Sequence, residues 1–91
     1  MSARLFTLGQ TAITPAASEL LGSAGVLPHE LINRHVSGDF GNLTPDDIEA
    51  NREAIAQGFR VFSAYDLSNG RVWVITEADR SVTTILLPSD Y

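Results

Sequence analysis

Between Pro15 and Gln57 apolar residues recur at the three-to-four-residue spacing of helices, and from Phe59 onward they alternate with a period of two. The change predicts helices first and a sheet afterwards. Leu5 to Thr14 alternates loosely and predicts a short N-terminal strand. Thr14-Pro15 then supplies a capping hydroxyl and a first-turn proline for a helix to about Ser23, ended by Gly25. A second helix is expected from Pro28 to Val36, with Leu31, Ile32 and His35 on one side. Thr44-Pro45-Asp46-Asp47 starts a third, where cap, proline and two carboxylates meet the positive end of the helix dipole. It runs to about Gln57 with Gly58 as its stop. Ile48 and Ile55 form its apolar stripe, supported by Ala54, and Asp46, Glu49 and Glu53 line its outer face.

Three strands follow, Arg60 to Leu67, Arg71 to Glu77 and Val82 to Leu87, joined by turns at Asn69-Gly70 and Asp79-Arg80. Placing Leu67 opposite Val72 puts Tyr65, Leu67, Val72, Val74, Ile85 and Leu87 on one face, which the helices should cover. The other face holds Phe62, Ala64, Trp73, Ile75, Val82 and Leu86 among Arg60, Asp66, Glu77 and Thr84. A sheet with helices on one side should be polar on the other, so this second apolar face needs a cover or a partner. The N-terminal segment is one candidate cover; a homodimer or a target protein is the alternative. The expected fold is α+β in two layers: a short N-terminal strand or extended segment, two to three helices, then a three-stranded antiparallel meander.

No linker, repeat or low-complexity tract divides the chain, so residues 1–91 read as one domain. At 91 residues such a domain hides only about 60 to 65% of its extended surface, leaving a thin core. There is no cysteine, which excludes disulfides, a cysteine nucleophile and Cys-based metal sites. The N-terminal stretch has one Arg and no apolar run of signal-peptide length, and no segment approaches the length of a membrane span. A cytoplasmic protein with no membrane contact is expected. Six Arg, no Lys and eleven acidic residues give a net charge of −5. That argues against direct nucleic-acid binding through phosphates and for a basic partner.

Two constellations could carry chemistry. In the loop from His35 to Gly41, His35 and Asp39 stand four residues apart across a glycine bend, which suits a general base with its orienting acid. It equally suits a structural role in which His35 caps its helix and Asp39 accepts backbone N–H groups. His29 reads as a surface residue, and His29, His35 and Asp39 lack the one-face spacing of a helical metal motif, so no metal and no cofactor are expected. The second constellation is the Thr76 to Thr84 hairpin, with Thr76 opposite Thr83 and Glu77 able to reach Arg80 over the turn. Read as chemistry, His35, Glu77 and Arg80 are the base, acid and phosphate clamp of a small metal-independent nuclease. Read structurally, Asp79 closes the turn, Glu77 and Arg80 form a surface ion pair, and Thr83 and its neighbours are ordinary strand residues.

The string His35…Gly38-Asp39-Phe40-Gly41, then Asn51, Ser63-Ala64-Tyr65, Trp73 through Ser81, Thr83-Thr84 and Tyr91, together with Leu8-Gly9-Gln10 and Thr14-Pro15, resembles a group of small proteins borne on bacterial plasmids, integrated conjugative elements and phages. These are labelled plasmid-related or restriction-associated; Phe40 stands where the group has tryptophan. The chain is too short for a methyltransferase cofactor domain of about 150 residues. The resemblance implies an accessory protein of a mobile element, such as an anti-restriction or anti-CRISPR inhibitor that occupies a surface used by nucleic acid. Its contacts would come from Asp46, Glu49 and Glu53, or from the apolar face around Phe62 and Trp73. A self-associating, antitoxin-like regulator is a further reading.

Overall fold

Threonine hydroxyls set where two of the three helices begin. In the computed structural model, which describes residues 4–91, Thr14 accepts from the Ala17 N–H and Thr44 from the Asp47 N–H, each at 3.2 Å. Prolines at the first turn lack the N–H that would otherwise go unpaired. The helices are α1 (Pro15–Ala24), α2 (Pro28–Val36) and α3 (Pro45–Gln57). α2 has no capping side chain at Leu27; Glu30 accepts from the Leu27 N–H instead, at 3.4 Å.

The strands are β1 (Gln10–Ile13), β2 (Val61–Leu67), β3 (Gly70–Thr76) and β4 (Val82–Leu86), followed by a 3-10 turn at Pro88–Asp90. They form one mixed sheet in the order β1-β4-β3-β2, so the expected antiparallel meander is present and β1 joins it parallel to β4. β1 is shorter than the expected strand from Leu5 to Thr14. Its first half is an irregular segment that sends Phe6 and Leu8 into the core.

The β2–β3 register differs from the expected one by two residues. Leu67 faces Gly70 and Tyr65 faces Val72, with Ser68 and Asn69 forming the turn and the Asn69 side chain donating to the Leu20 carbonyl at 3.1 Å. A slip of two leaves every side chain on its face, so the expected faces stand. On the inner face Val61, Tyr65, Val72, Val74 and Ile85 form one core with Ala17 and Leu21 of α1, Leu31, Ile32 and Val36 of α2, and Ala54 of α3. Thr76 does face Thr83.

The cover of the outer face is the C-terminus, a correction to the N-terminal cover considered from sequence. Phe6 and Leu8 lie in the inner core. Asp90 accepts from the Thr14 hydroxyl at 2.7 Å and from the Leu87 N–H at 2.9 Å, which folds the last residues back. Tyr91 then stacks edge-on against Trp73 at 5.8 Å, and Trp73 against Phe62 at 5.1 Å. Ile75 and Leu86 are buried, while Phe62 and Trp73 stay half-buried. No helix among the described residues is long and apolar enough to cross a membrane. Residues 1–3, part of the N-terminal stretch read for a signal sequence, lie outside the described residues.

Candidate functional site

His35 lies on the inner face of α2 and is completely buried. Its Nδ1 is 2.6 Å from the Ser63 Oγ and its Nε2 is 2.9 Å from the Thr76 Oγ1. Thr76 Oγ1 is in turn 2.7 Å from Thr83 Oγ1, and the Thr83 hydroxyl donates to the Leu8 carbonyl at 2.8 Å. That last bond orients the whole chain, because a carbonyl can only accept. Thr83 must therefore accept from Thr76, Thr76 from His35 Nε2–H, and His35 Nδ1 from the Ser63 hydroxyl. Ser63, Thr76 and Thr83 are buried as well, and no buried side-chain polar atom among the described residues lacks a partner.

The imidazole is packed edge-on between Phe6, at 5.2 Å, and Phe40, at 6.4 Å. Burial in this apolar cage, and secondarily the positive charge of Arg80, push its pKa down to about 4. The network is thus a neutral polar pin through the core, joining α2, β2, β3, β4 and the N-terminal segment. Sequence reasoning placed His35 and the threonines but missed Ser63. The signal was available: Ser63, Thr76 and Thr83 occupy inward positions of strands whose other inward residues are apolar, and a buried hydroxyl needs a partner.

His35 and Asp39 do not pair, contrary to the base-and-acid arrangement considered from sequence, nor does His35 cap its helix. Asp39 binds Arg34, at 2.7 and 3.4 Å, and accepts from the Gly41 N–H at 3.2 Å. Arg34 holds the Asp39 carboxyl below the usual carboxylate range. The Arg34 guanidinium also lies 4.5 Å over the Tyr65 ring, and the Tyr65 hydroxyl, pushed up to about 12 by burial, donates to the Asp39 carbonyl at 2.6 Å. These groups border a polar cleft of about 380 Å³. On its wall Asp66 is bound by Asn42 and, from beyond the cleft, by Arg71, which together hold its pKa at about 2, Arg71 contributing most.

Glu77 and Arg80 do not form the expected ion pair. Glu77 binds Arg60 at 3.4 Å. Arg80 turns its guanidinium onto main-chain carbonyls, at 2.6 Å to Phe59, 3.1 Å to Ala54, 3.2 Å to Glu77 and 3.4 Å to Ala78. It thereby ties the negative end of α3 to the β3–β4 turn, which Asp79 closes by accepting from the Ser81 N–H at 3.0 Å. His35, Glu77 and Arg80 each spend their polar atoms on different partners.

What faces outward is different in kind. Asp46, Glu49 and Glu53 are exposed on α3, and the ion pairs among the described residues use none of them. Phe62, Trp73 and Tyr91 form an aromatic row on the outer sheet face, with the Arg60 guanidinium 5.7 Å from the Tyr91 ring and donating to its hydroxyl at 2.6 Å. His29 is exposed, and among the described residues no three His, Cys, Asp or Glu gather as a metal site. Comparisons with protein-family models, curated proteins and solved structures give no match.

Proposed function

We propose that this protein acts by protein–protein contact, presenting the acidic face of α3 to a basic, nucleic-acid-handling partner. Taken with the resemblance to mobile-element proteins, this makes it an inhibitor of a host defence complex of the anti-restriction or anti-CRISPR kind. One observation carries the reading: the groups able to do chemistry are satisfied internally, whereas the carboxylates of Asp46, Glu49 and Glu53 point to solvent without cationic partners among the described residues. Unpaired like charges on a rigid helix raise the local potential and speed encounter with a surface of opposite sign. A completely buried imidazole with both nitrogens engaged has no route to a substrate phosphate.

The test is capture by the tagged chain from nuclease-treated bacterial lysate, beside the triple variant Asp46→Lys, Glu49→Lys, Glu53→Lys. The parent is expected to retain a nucleic-acid-handling complex in stoichiometric amount, in a manner weakened by salt, and the folded variant to lose it. Equal retention by both removes α3 from the account. Nucleic-acid cleavage that disappears in His35→Ala, with a bell-shaped pH profile, would overturn the reading in favour of catalysis.

A further inference from the structure

The two edges of the sheet are finished in different ways. On β2 the outward main-chain groups of Phe62 and Ala64 are occupied: Asn51 pairs with both the N–H and the C=O of Phe62, at 3.1 and 2.6 Å, and the loop at Phe40 to Asn42 pairs with both groups of Ala64. On β1 the N–H groups of Gln10 and Thr14 donate to the Ser81 and Ile85 carbonyls, so strand alternation turns the N–H and C=O of Thr11 and Ile13 away from β4. No main-chain or side-chain bond to these groups occurs among the described residues outside the ladder with β4. Thr11 and Ala12 are exposed, and Gln10 to Ile13 contain no charge, no proline and no bulge, so that of the usual guards on an open edge β1 has its shortness, at four residues.

Beside this edge an apolar groove of about 330 Å³ runs between β1 and α2, walled by Ile13, Pro28, Ile32 and Ile85. The chain as a whole carries a net charge of −5, and the exposed Asp90 carboxylate sits on the Thr14 hydroxyl just past the end of β1. No arginine among the described residues lines the groove.

We propose that the open edge of β1 and this groove bind an extended, basic and apolar segment of a partner protein. The segment adds beside β1 as a further strand, exchanging main-chain hydrogen bonds with Thr11 and Ile13 and lowering one apolar side chain between Ile13 and Ile32. Charge decides against a second copy as occupant: it would bring another net −5, with a second Asp90 carboxylate, to the same place. This rests on the reading of the protein as a contact module, but it concerns a surface separate from α3 and is read at different residues, so either can fail alone.

The probe is an acetylated and amidated heptapeptide, Lys-Thr-Val-Thr-Val-Thr-Lys, titrated into the intact chain with amide shifts and hydrogen exchange followed by NMR. In the free protein the Thr11 and Ile13 amides should exchange fast while Gln10, Ala12 and Thr14 are protected. With peptide, Thr11 and Ile13 should shift and gain protection. Methylating the two valine amides should weaken binding roughly tenfold, the size expected for losing one or two main-chain hydrogen bonds. Thr11→Pro should do the same from the protein side, since it removes an outward N–H. Should that variant not fold, the methylated peptide still decides. Unmoved Thr11 and Ile13 amides at saturating probe would overturn the proposal. So would equal binding of the peptide with glutamate at both ends, or protection of the free edge that grows with protein concentration, which would make the occupant a second copy.

Discussion

At the scale of single residues, the imidazole of His35 is the most consequential group. Folded, it is held neutral with a pKa near 4; unfolded, it titrates at its ordinary 6.5. The unfolded chain therefore binds more protons between these values. Stability is complete above about pH 6.5 and is lost as pH falls toward 4, by roughly 3 kcal/mol in all. Denaturant titrations at stepped pH should show this slope, and His35→Gln, although less stable throughout, should flatten it. Asp39, held low by Arg34, adds its own loss in the same direction at still lower pH. Arg80 makes a second test. It sits at φ 61°, a left-handed conformation that side chains resist, while its guanidinium binds carbonyls. Arg80→Ala and Arg80→Gly should both destabilise, with the glycine variant the more stable of the two by about 1 kcal/mol in denaturation midpoints analysed at constant slope.

At the scale of elements, α3 works as a cover for the edge of β2. Asn51 takes the place of a neighbouring strand by donating to and accepting from Phe62. Asn51→Leu keeps the branched outline of the side chain but strands both main-chain groups, and should cost about 2 to 3 kcal/mol with faster exchange of the Phe62 amide. Gly41 shows the same closeness of packing: a Cβ there would meet the main chain of Ala64, and its φ is 74°. Gly41→Ala should therefore cost upwards of about 2 kcal/mol, measured by the same denaturation. Asn51 was legible in the sequence only as part of a resemblance. Its position among Ile48, Ala54 and Ile55 puts an amide on the apolar stripe, and an amide there implies a main-chain partner that helical periodicity cannot name.

At the scale of the whole molecule, the C-terminus closes the outer face by setting Tyr91 against Trp73. Trp73 is the sole tryptophan, so its fluorescence reports on that closure. Tyr91→Ala should shift the emission to longer wavelength while leaving the unfolding midpoint nearly in place, because Tyr91 is itself 68% exposed. An unchanged spectrum would mean that Trp73 is shielded by Phe62 alone.

Periodicity and capping chemistry in the sequence by themselves determined the α+β class, the helix starts at Pro15, Pro28 and Pro45, and which residues share each sheet face. These are local properties: a two-residue or a three-to-four-residue repeat places side chains without reference to the rest of the chain. Only the tertiary structure decided that His35 bonds Ser63 and Thr76, that Glu77 belongs to Arg60 and Arg80 to the end of α3, and that Phe6 and Leu8 lie on one face of the sheet and Tyr91 on the other. Polar side chains have several partners within reach of their flexible stems. The choice among them falls to whichever groups burial leaves without water, and that is settled by contacts between residues far apart in sequence.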